Sequence, residues 1–335
     1  MPVPVRQSYR VGSYILRQRL ARRQRFPLIV ELEPLFQCNL ECAGCGKIQH
    51  PEALLRQRMS VERAIGAVEE SGAPMVSIAG GEPLIHPEID RMAAEFIRRR
   101  KFVYLCTNAI LMEKKLDLFK PSPYFAWTVH IDGLRERHDE SVCRDGVFEK
   151  AIAAIAEAKR RGFRVTTNTT FFTQDSPETV RSVLDYLNDE LKVDAMMISP
   201  AYAYEKAPDQ EHFLGVTQTR ELFREAFADG RRRRWRLNHT PLFLDFLEGK
   251  ADFSCTAWAI PSYSLLGWQR PCYLMSDGYL KTYRELVEQT DWEAYGRGRD
   301  PRCENCMAHC GYEPSAVFAT SRSPRQAVRA MREAA

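Results

Sequence analysis

No stretch of this 335-residue chain approaches the ~18 consecutive apolar residues that a membrane-spanning helix needs. The N-terminus lacks the uninterrupted apolar core and small-residue cleavage site of a secretory signal. The ten cysteines therefore read as belonging to a reducing, cytoplasmic setting rather than to a secreted disulfide scaffold. Basic residues are nowhere interleaved with aromatics as in a strand-binding groove, and a net charge of +4 is too small to point to nucleic acid, so no such partner is expected. The basic run Arg231 to Arg234 reads as a solvated helix end. Internal repeats and low-complexity linkers are also missing. One segment has no acidic residue: residues 1–26 hold Arg6, Arg10, Arg17, Arg19, Arg22, Arg23 and Arg25, interleaved with Val11, Tyr14, Ile15, Leu16 and Leu20.

At 44% hydrophobic, the chain has ample material for a large core. Short apolar runs alternate with charged, helix-like segments, the pattern of βα units around a mostly parallel sheet. Strands are expected at Leu28 to Leu35, Met75 to Ala79, Phe102 to Cys106, Ala126 to Ile131, Arg164 to Thr169 and Ala195 to Ser199. Helices are expected at Val61 to Glu70 with Ser60 as its cap, Ile89 to Arg100, Phe148 to Arg161 and Pro177 to Leu191. The fold class is α/β, a partial (β/α)6 barrel with a Cys-rich, aromatic-rich C-terminal extension. Three regions follow: a basic amphipathic segment 1–26, the barrel 27–205, and a substrate-covering, Cys-rich region 206–335. Polar and glycine-rich signals fall just after the strands, as CNLECAGC, GGEP, TN, DG, N and SP, where the loops of α/β folds converge on one mouth.

In CNLECAGC, Cys38, Cys42 and Cys45 offer three soft thiolates directly after the first strand. Three ligands leave one iron of a [4Fe-4S] cube open, whereas electron-carrying clusters and structural zinc close with four. After the second strand come Gly80, Gly81, Glu82 and Pro83; the glycines let backbone approach a ligand, and Glu82 can accept from a buried ammonium. Together these segments resemble the radical S-adenosylmethionine (SAM) superfamily, and the fold is then a barrel of that type. The resemblance implies a [4Fe-4S] cluster on the three cysteines, SAM on its open iron, and the SAM amino group at GGEP. Further cofactor-binding candidates are Thr107, Asn108, His130, Asp132, Asn168, Ser199 and Pro200, with Asp132 or Asn168 suited to the ribose hydroxyls and each equally a common turn or cap residue. One departure is Gly44, where many members carry an aromatic residue near the adenine.

The stretches LEPLFQCNLECAGCGKIQHP, VSIAGGEPLIHPE, FVYLCTNA, VHIDG, SPAYAYEKAPDQEHFL and GWQRPCY resemble, more narrowly, the adenosylhopane synthases of hopanoid biosynthesis. That resemblance implies addition of the 5'-deoxyadenosyl radical to the terminal alkene of diploptene, a triterpene, with an electron donor such as flavodoxin or ferredoxin. Such an addition needs a hydrogen-atom donor for the product radical. Cys106, at the end of the third strand on the face shared with Tyr104 and Asn108, is the candidate catalytic thiol, with Tyr104 and Cys143 as substitutes. A small buried hydrophobe is its plainer role.

Two alternatives stay open: hydrogen abstraction from another substrate, and a non-catalytic iron-sulfur or zinc protein. Cys255, Cys272, Cys303, Cys306 and Cys310 are candidates for a second metal site, where an auxiliary cluster, zinc and a reduced structural knot would look alike. Trp235, Phe243, Phe246, Phe253, Trp258, Tyr263, Trp268, Tyr273, Tyr279 and Tyr283 are suited either to an apolar pocket wall or to core. The basic N-terminal segment reads either as a peripheral contact with the inner membrane surface or as a cover packed on the barrel.

Overall fold

A computed structural model describes residues 2–334. All six expected strands form: β1 (Ile29–Glu33), β2 (Met75–Ile78), β3 (Phe102–Thr107), β4 (Phe125–His130), β5 (Arg164–Phe171) and β6 (Ala195–Pro200). They lie in the order 6-5-4-3-2-1, every pair parallel. The fold is therefore the α/β, parallel-dominated partial barrel that the βα alternation implies.

Three strands escape sequence detection because they are only two or three residues long. β7 (Ser262–Ser264) adds in parallel beside β1, and β8 (Gly267–Gln269) and β9 (Tyr279–Leu280) continue antiparallel. At the opposite edge, Met196 of β6 exchanges backbone hydrogen bonds with Arg236 and Asn238, so the last barrel strand is not left bare.

Strand alternation decides what faces the lumen. Val30 and Leu32 of β1 are fully buried against the helix layer, so Glu31 and Glu33 point to the other side. Register carries that parity across the sheet: Glu31 pairs with Ser262 and Ser77, Ser77 with Tyr104, Cys106 with Thr128, and His130 with Asn168. The lumen is polar, while the hydrophobic core lies outside it.

The helix layer includes α2 (Val61–Ser71), α3 (Ile89–Arg98), α4 (Val147–Arg160) and α5 (Pro177–Asp185), following α1 (Val5–Leu20). Ser60 caps α2 by accepting from Arg63 N, and Gly72 ends it at φ 71°. Ser176 and Thr179 form a capping box on α5, which stops at Asp185 and gives way to a π turn at Tyr186–Glu190 instead of continuing to Leu191. In the C-terminal part, α6 (Val216–Ala226), α7 (Pro241–Leu247), α8 (His309–Thr320) and α9 (Pro324–Ala334) replace the irregular stretch suggested by sequence.

One expectation is corrected in part and one choice is decided: Arg233 and Arg234 are exposed, as a solvated helix end requires. Arg232 is not solvated: it is 10% exposed and ion-paired with Asp245 and Glu248. Nor do the aromatics of residues 235–295 form a pocket wall as a group. Trp235, Phe243, Phe246, Tyr263 and Trp268 belong to the core outside the lumen, and Phe253, Trp258 and Tyr283 pack against it, because their segments lie on the outer face of the sheet. Tyr273 is the exception; it joins Tyr204 beside the loop after β1, while Tyr279 sits half-buried in the edge strand β9.

The N-terminal helix does cover the barrel. Tyr14 and Ile15 of α1 are buried with Phe26, Leu28, Ala259 and Phe318, and the Tyr104 hydroxyl donates to Gln7 Oε1 at 2.8 Å.

Candidate functional site

The loop after β1 carries Cys38, Cys42 and Cys45. Cys38 and Cys42 pack against Leu40, Val142 and Val147, and Arg144 donates to the Asn39 carbonyl at 3.2 Å. Burial pushes the Cys38 thiol up to about 12 and raises Cys42 and Cys45 as well, the charge of Cys45 adding to the rise of Cys38 and Cys42. Such thiols give up their protons when a metal or cluster binds them. Among the described residues no three Cys, His, Asp or Glu side chains are gathered as on a single ion. The three thiols nevertheless lie on one loop, with Cys38 and Cys42 in one packed group, and three soft thiolates are a donor set that suits the face of a cluster.

The segment after β2 runs along this loop. Gly81 N donates to the Leu35 carbonyl at 3.1 Å and Glu82 N to that of Gln37 at 2.8 Å. Gly80 has φ 107°, a left-handed value that favours glycine, and a Cβ on Gly81 would run into the carbonyls of Gln37 and Phe36. Both glycines are thus required by close backbone approach. Pro83 opens a buried turn.

Glu82 is 1% exposed and holds the strand ends together. Its Oε1 accepts from Thr107 Oγ1 at 2.8 Å and Leu84 N at 3.0 Å, and its Oε2 from Asn108 N at 2.9 Å. Burial pushes its carboxyl up to about 7 against those three donors. Sequence reasoning aimed Glu82 at a ligand ammonium; the structure shows much of its capacity used to tie β2 to β3. Asn108 extends the link, its Nδ2 reaching Asn39 Oδ1 at 2.8 Å and Cys38 Sγ at 3.8 Å.

Asp132 is similarly engaged, accepting from Thr170 N at 2.8 Å and pairing with His130 Nε2 at 2.8 Å. Burial opposes both charges, but the pair outweighs it, holding His130 above and Asp132 below their usual ranges. Asn168 differs: its Oδ1 is buried with no partner among the described residues, so it has capacity for a ligand donor. Ser199 donates to the Pro200 carbonyl at 3.1 Å.

Cys106 faces the lumen on β3, with Ser77 Oγ 3.4 Å from its sulfur. Burial pushes its thiol up to about 12, with Ser77 opposing and Glu31 and Glu82 adding to the rise, so it stays protonated at neutral pH. Tyr104 is spent on Gln7 at the barrel floor, and Cys143 is exposed.

Sequence reasoning missed a charged group in the lumen. Lys47, just beyond the third cysteine, is ion-paired with the fully buried Glu33, and its ammonium lies 5.0 Å and 5.5 Å from the ring centres of Tyr273 and Tyr204. Burial, with added repulsion from Glu33, pushes Glu31 up to about 7 although Lys47 opposes this. The signal was available in VELEP, where acids alternate with Val30 and Leu32. Phe172 was missed as well: its ring would lie 3.1 Å from a Cβ on Gly44, so an aromatic from β5's end stands beside the position where the family-like aromatic is absent.

The five C-terminal cysteines share one region. The charge of Cys306 bears on Cys255, Cys272 and Cys310, and that of Cys303 on Cys255, Cys272 and Cys306. The Tyr202 and Tyr273 hydroxyls are hydrogen-bonded to each other, and the charges of Cys310 and Glu31 both bear on them.

Two families match the chain: the Radical SAM superfamily over residues 32–187, and a domain of unknown function, DUF3463, over residues 196–330. Among curated relatives, GTP 3',8-cyclase 1 of Mycobacterium tuberculosis is 26% identical over 144 residues, 40% of this chain and 40% of that protein. Fe-coproporphyrin III synthase of Methanosarcina barkeri is 22% identical over 158 residues, 46% of this chain and 39% of that protein. The chain thus spans about 40% of the length of these relatives. Among solved structures, Streptococcus suis SuiB bound to precursor peptide SuiA aligns with TM-score 0.67 at 16% identity, covering 93% of this chain and 76% of SuiB. Native anSMEcpe with bound AdoMet aligns with TM-score 0.58 at 18% identity, covering 91% and 100%. These likenesses concern the fold.

Two outcomes are expected. Gly81→Ala should displace the cysteine loop, lowering iron uptake on anaerobic reconstitution and destabilising the fold by about 1–3 kcal/mol, the usual range for overpacking; wild-type iron content and melting temperature would contradict the close-approach argument. Glu31→Gln should stabilise the protein at pH 8 by up to about 3 kcal/mol and by clearly less at pH 5. The sign follows because Glu31's folded value, about 7, lies above its ordinary 4.5, so stability falls as pH rises between them. Urea titrations at the two pH values check it, and equal gain at both would contradict it.

Proposed function

Given the match of residues 32–187 to the Radical SAM superfamily, we propose that this chain is an enzyme that adds the 5'-deoxyadenosyl radical to the terminal alkene of diploptene, forming the carbon-carbon bond of adenosylhopane. The observation that carries this reading is the Cys106 thiol on the lumen face, with Ser77 Oγ 3.4 Å from its sulfur. Radical addition moves the unpaired electron to the more substituted alkene carbon, which must then receive a hydrogen atom. A thiol suits that step, its S-H bond being weaker than the C-H bond made; the Cys106 thiyl radical left behind returns to thiol by taking one electron from a donor of the flavodoxin or ferredoxin class and a proton from solvent. Hydrogen abstraction from substrate needs no such donor. The sequence stretches that resemble adenosylhopane synthases support the same reading.

The geometry supports the following roles for the remaining residues. Cys38, Cys42 and Cys45 hold the cluster. When bound, the [4Fe-4S] cluster and SAM supply the 5'-deoxyadenosyl radical by one-electron cleavage. The Gly80-Gly81 backbone and the remaining capacity of Glu82 orient the SAM amino group, while Thr107 and Asn108 fix Glu82. Asn168 offers its unpartnered oxygen to a ribose hydroxyl, and Phe172 offers an aromatic face for the adenine. His130 and Asp132 hold one another and the end of β5; Ser199 and Pro200 close the rim on β6. An electron donor of the flavodoxin or ferredoxin class reduces the cluster, in a cytoplasmic enzyme that makes peripheral contact with the membrane holding its substrate.

A second reading, hydrogen abstraction from a polar substrate, is favoured by a specific observation: the lumen holds Glu31, Glu33 and Lys47, groups that a hydrocarbon cannot satisfy. One assay separates the two. Anaerobically reconstituted enzyme given SAM, dithionite and diploptene should yield a product with the mass of diploptene plus a deoxyadenosyl group and one hydrogen. Cys106→Ala should still cleave SAM but make little correctly reduced adduct. Free 5'-deoxyadenosine with no adduct from the unmodified enzyme would overturn the addition reading.

For the C-terminal thiols the reading is an auxiliary iron-sulfur cluster held by ligands from among Cys255, Cys272, Cys303, Cys306 and Cys310, supported by their shared region. A Cys38/Cys42/Cys45 triple Ala variant should therefore retain iron by metal analysis while losing SAM cleavage; an iron-free variant would leave zinc or reduced thiols.

A further inference from the structure

The helix α1 carries two apolar faces, and the barrel uses one. Gln7, Tyr14 and Ile15 are buried beneath the strands. Val5, Tyr9, Leu16 and Leu20 are spaced by four, seven and four residues, which at 3.6 residues per turn places them within one narrow stripe on the opposite side. They are 65%, 78%, 58% and 74% exposed, which makes the stripe an unpartnered face rather than the edge of a core. Scattered exposed apolar side chains need no explanation, but a collinear set spanning the whole helix does.

We propose that this outer face of α1 is a docking surface for an anionic lipid bilayer. Charge argues for that occupant. Residues 1–26 hold seven arginines and no acid, and among the described residues only Arg25 reaches a carboxylate, Glu293 at 3.5 Å. Arg17, Arg22 and Arg23 are exposed beside or just beyond the stripe. A convex helix with an apolar ridge flanked by guanidinium groups suits the boundary between acyl chains and phosphates. Basic charge continues on the neighbouring element: Arg19 donates to Ser321 Oγ at 2.8 Å and to the Phe318 carbonyl at 3.2 Å, fixing α1 to the end of α8, with Arg322 close by.

The placement deepens the lipid-substrate reading and rests on it only for its purpose. The buried face of the same helix touches the lumen floor through the Gln7 to Tyr104 hydrogen bond, two residues before Cys106 on β3. A bilayer against the outer face would lie below the barrel floor, where a hydrocarbon substrate is dissolved. No helix among the described residues is long and apolar enough to cross a membrane, so the contact is one of surface insertion.

Full-length reconstituted protein should co-sediment with vesicles of phosphatidylcholine and phosphatidylglycerol, less so as salt is raised, and hardly with phosphatidylcholine alone. The variant V5S/Y9S/L16S/L20S should bind the anionic vesicles at least about tenfold more weakly, with unchanged cluster absorbance and SAM cleavage, since these side chains lie outside the fold's contacts. Unaltered binding by the variant, or no binding by the unmodified protein, would overturn the proposal. So would sedimentation velocity without lipid showing a dimer that the variant breaks, which would assign the face to self-association. Failure of the unmodified enzyme to convert micellar diploptene while still binding anionic vesicles would overturn the substrate reading alone.

Discussion

The buried carboxylate of Glu82 is the joint on which the site depends. Its two oxygens collect a hydroxyl and two backbone donors from the tails of β2 and β3, and Asn108 passes the connection on to Asn39 and Cys38. Three loops that would otherwise move independently are thereby referenced to one group. The glycine pair is the steric half of the same joint, because only residues without a Cβ let the Glu82 backbone hydrogen-bond along the cysteine loop. A cluster held, as proposed, by three thiolates from one loop needs such external support, since a loop alone does not fix an open coordination position.

A second constraint comes from the lumen's polarity. Glu33 and Lys47 are removed from water together, and the ion pair repays that desolvation only because the two stay in contact with each other and Lys47 lies over Tyr204 and Tyr273. Removing either partner would leave a buried charge uncompensated, a heavier penalty than the pair's own net worth. Gly46 fits here because Tyr204 occupies the space its Cβ would need. The loop that carries the cysteines is therefore held on one side by Glu82 and Asn108 and on the other by Lys47 and Tyr204.

Much of this was legible from the residues. The six strands, the Ser60 cap, the cysteine triad and the glycine pair all have strong local causes: periodicity, a capping side chain, thiol spacing, and glycines where backbone meets backbone. What was not legible has equally physical reasons. β7, β8 and β9 are too short to display alternation, and they form because β1 offers an edge. The aromatics of residues 235–295 could be read as wall or as core because composition does not tell the inner face of a sheet from the outer. Glu82 and Asp132 were aimed at ligands by their type, while their hydrogen bonds, set by three-dimensional neighbours, go largely to backbone and side chains of the fold.

The N-terminal helix leaves room for both readings that the sequence posed. A cover packed on the barrel and a basic surface helix were opposed readings of the same arginines and apolar residues. Helical geometry separates those residues into two sets on opposite sides: Tyr14 and Ile15 inward, Leu16 and Leu20 outward. One turn of 3.6 residues leaves room for both stripes, with arginines filling the flanks between them. A purely packing role would place no constraint on the outward set, and polar residues there would cost nothing in stability. Four large apolar side chains in line, in a segment without one acid, therefore carry information beyond the fold. The inward set fixes where that information is displayed: directly beneath the floor of the lumen that holds Cys106.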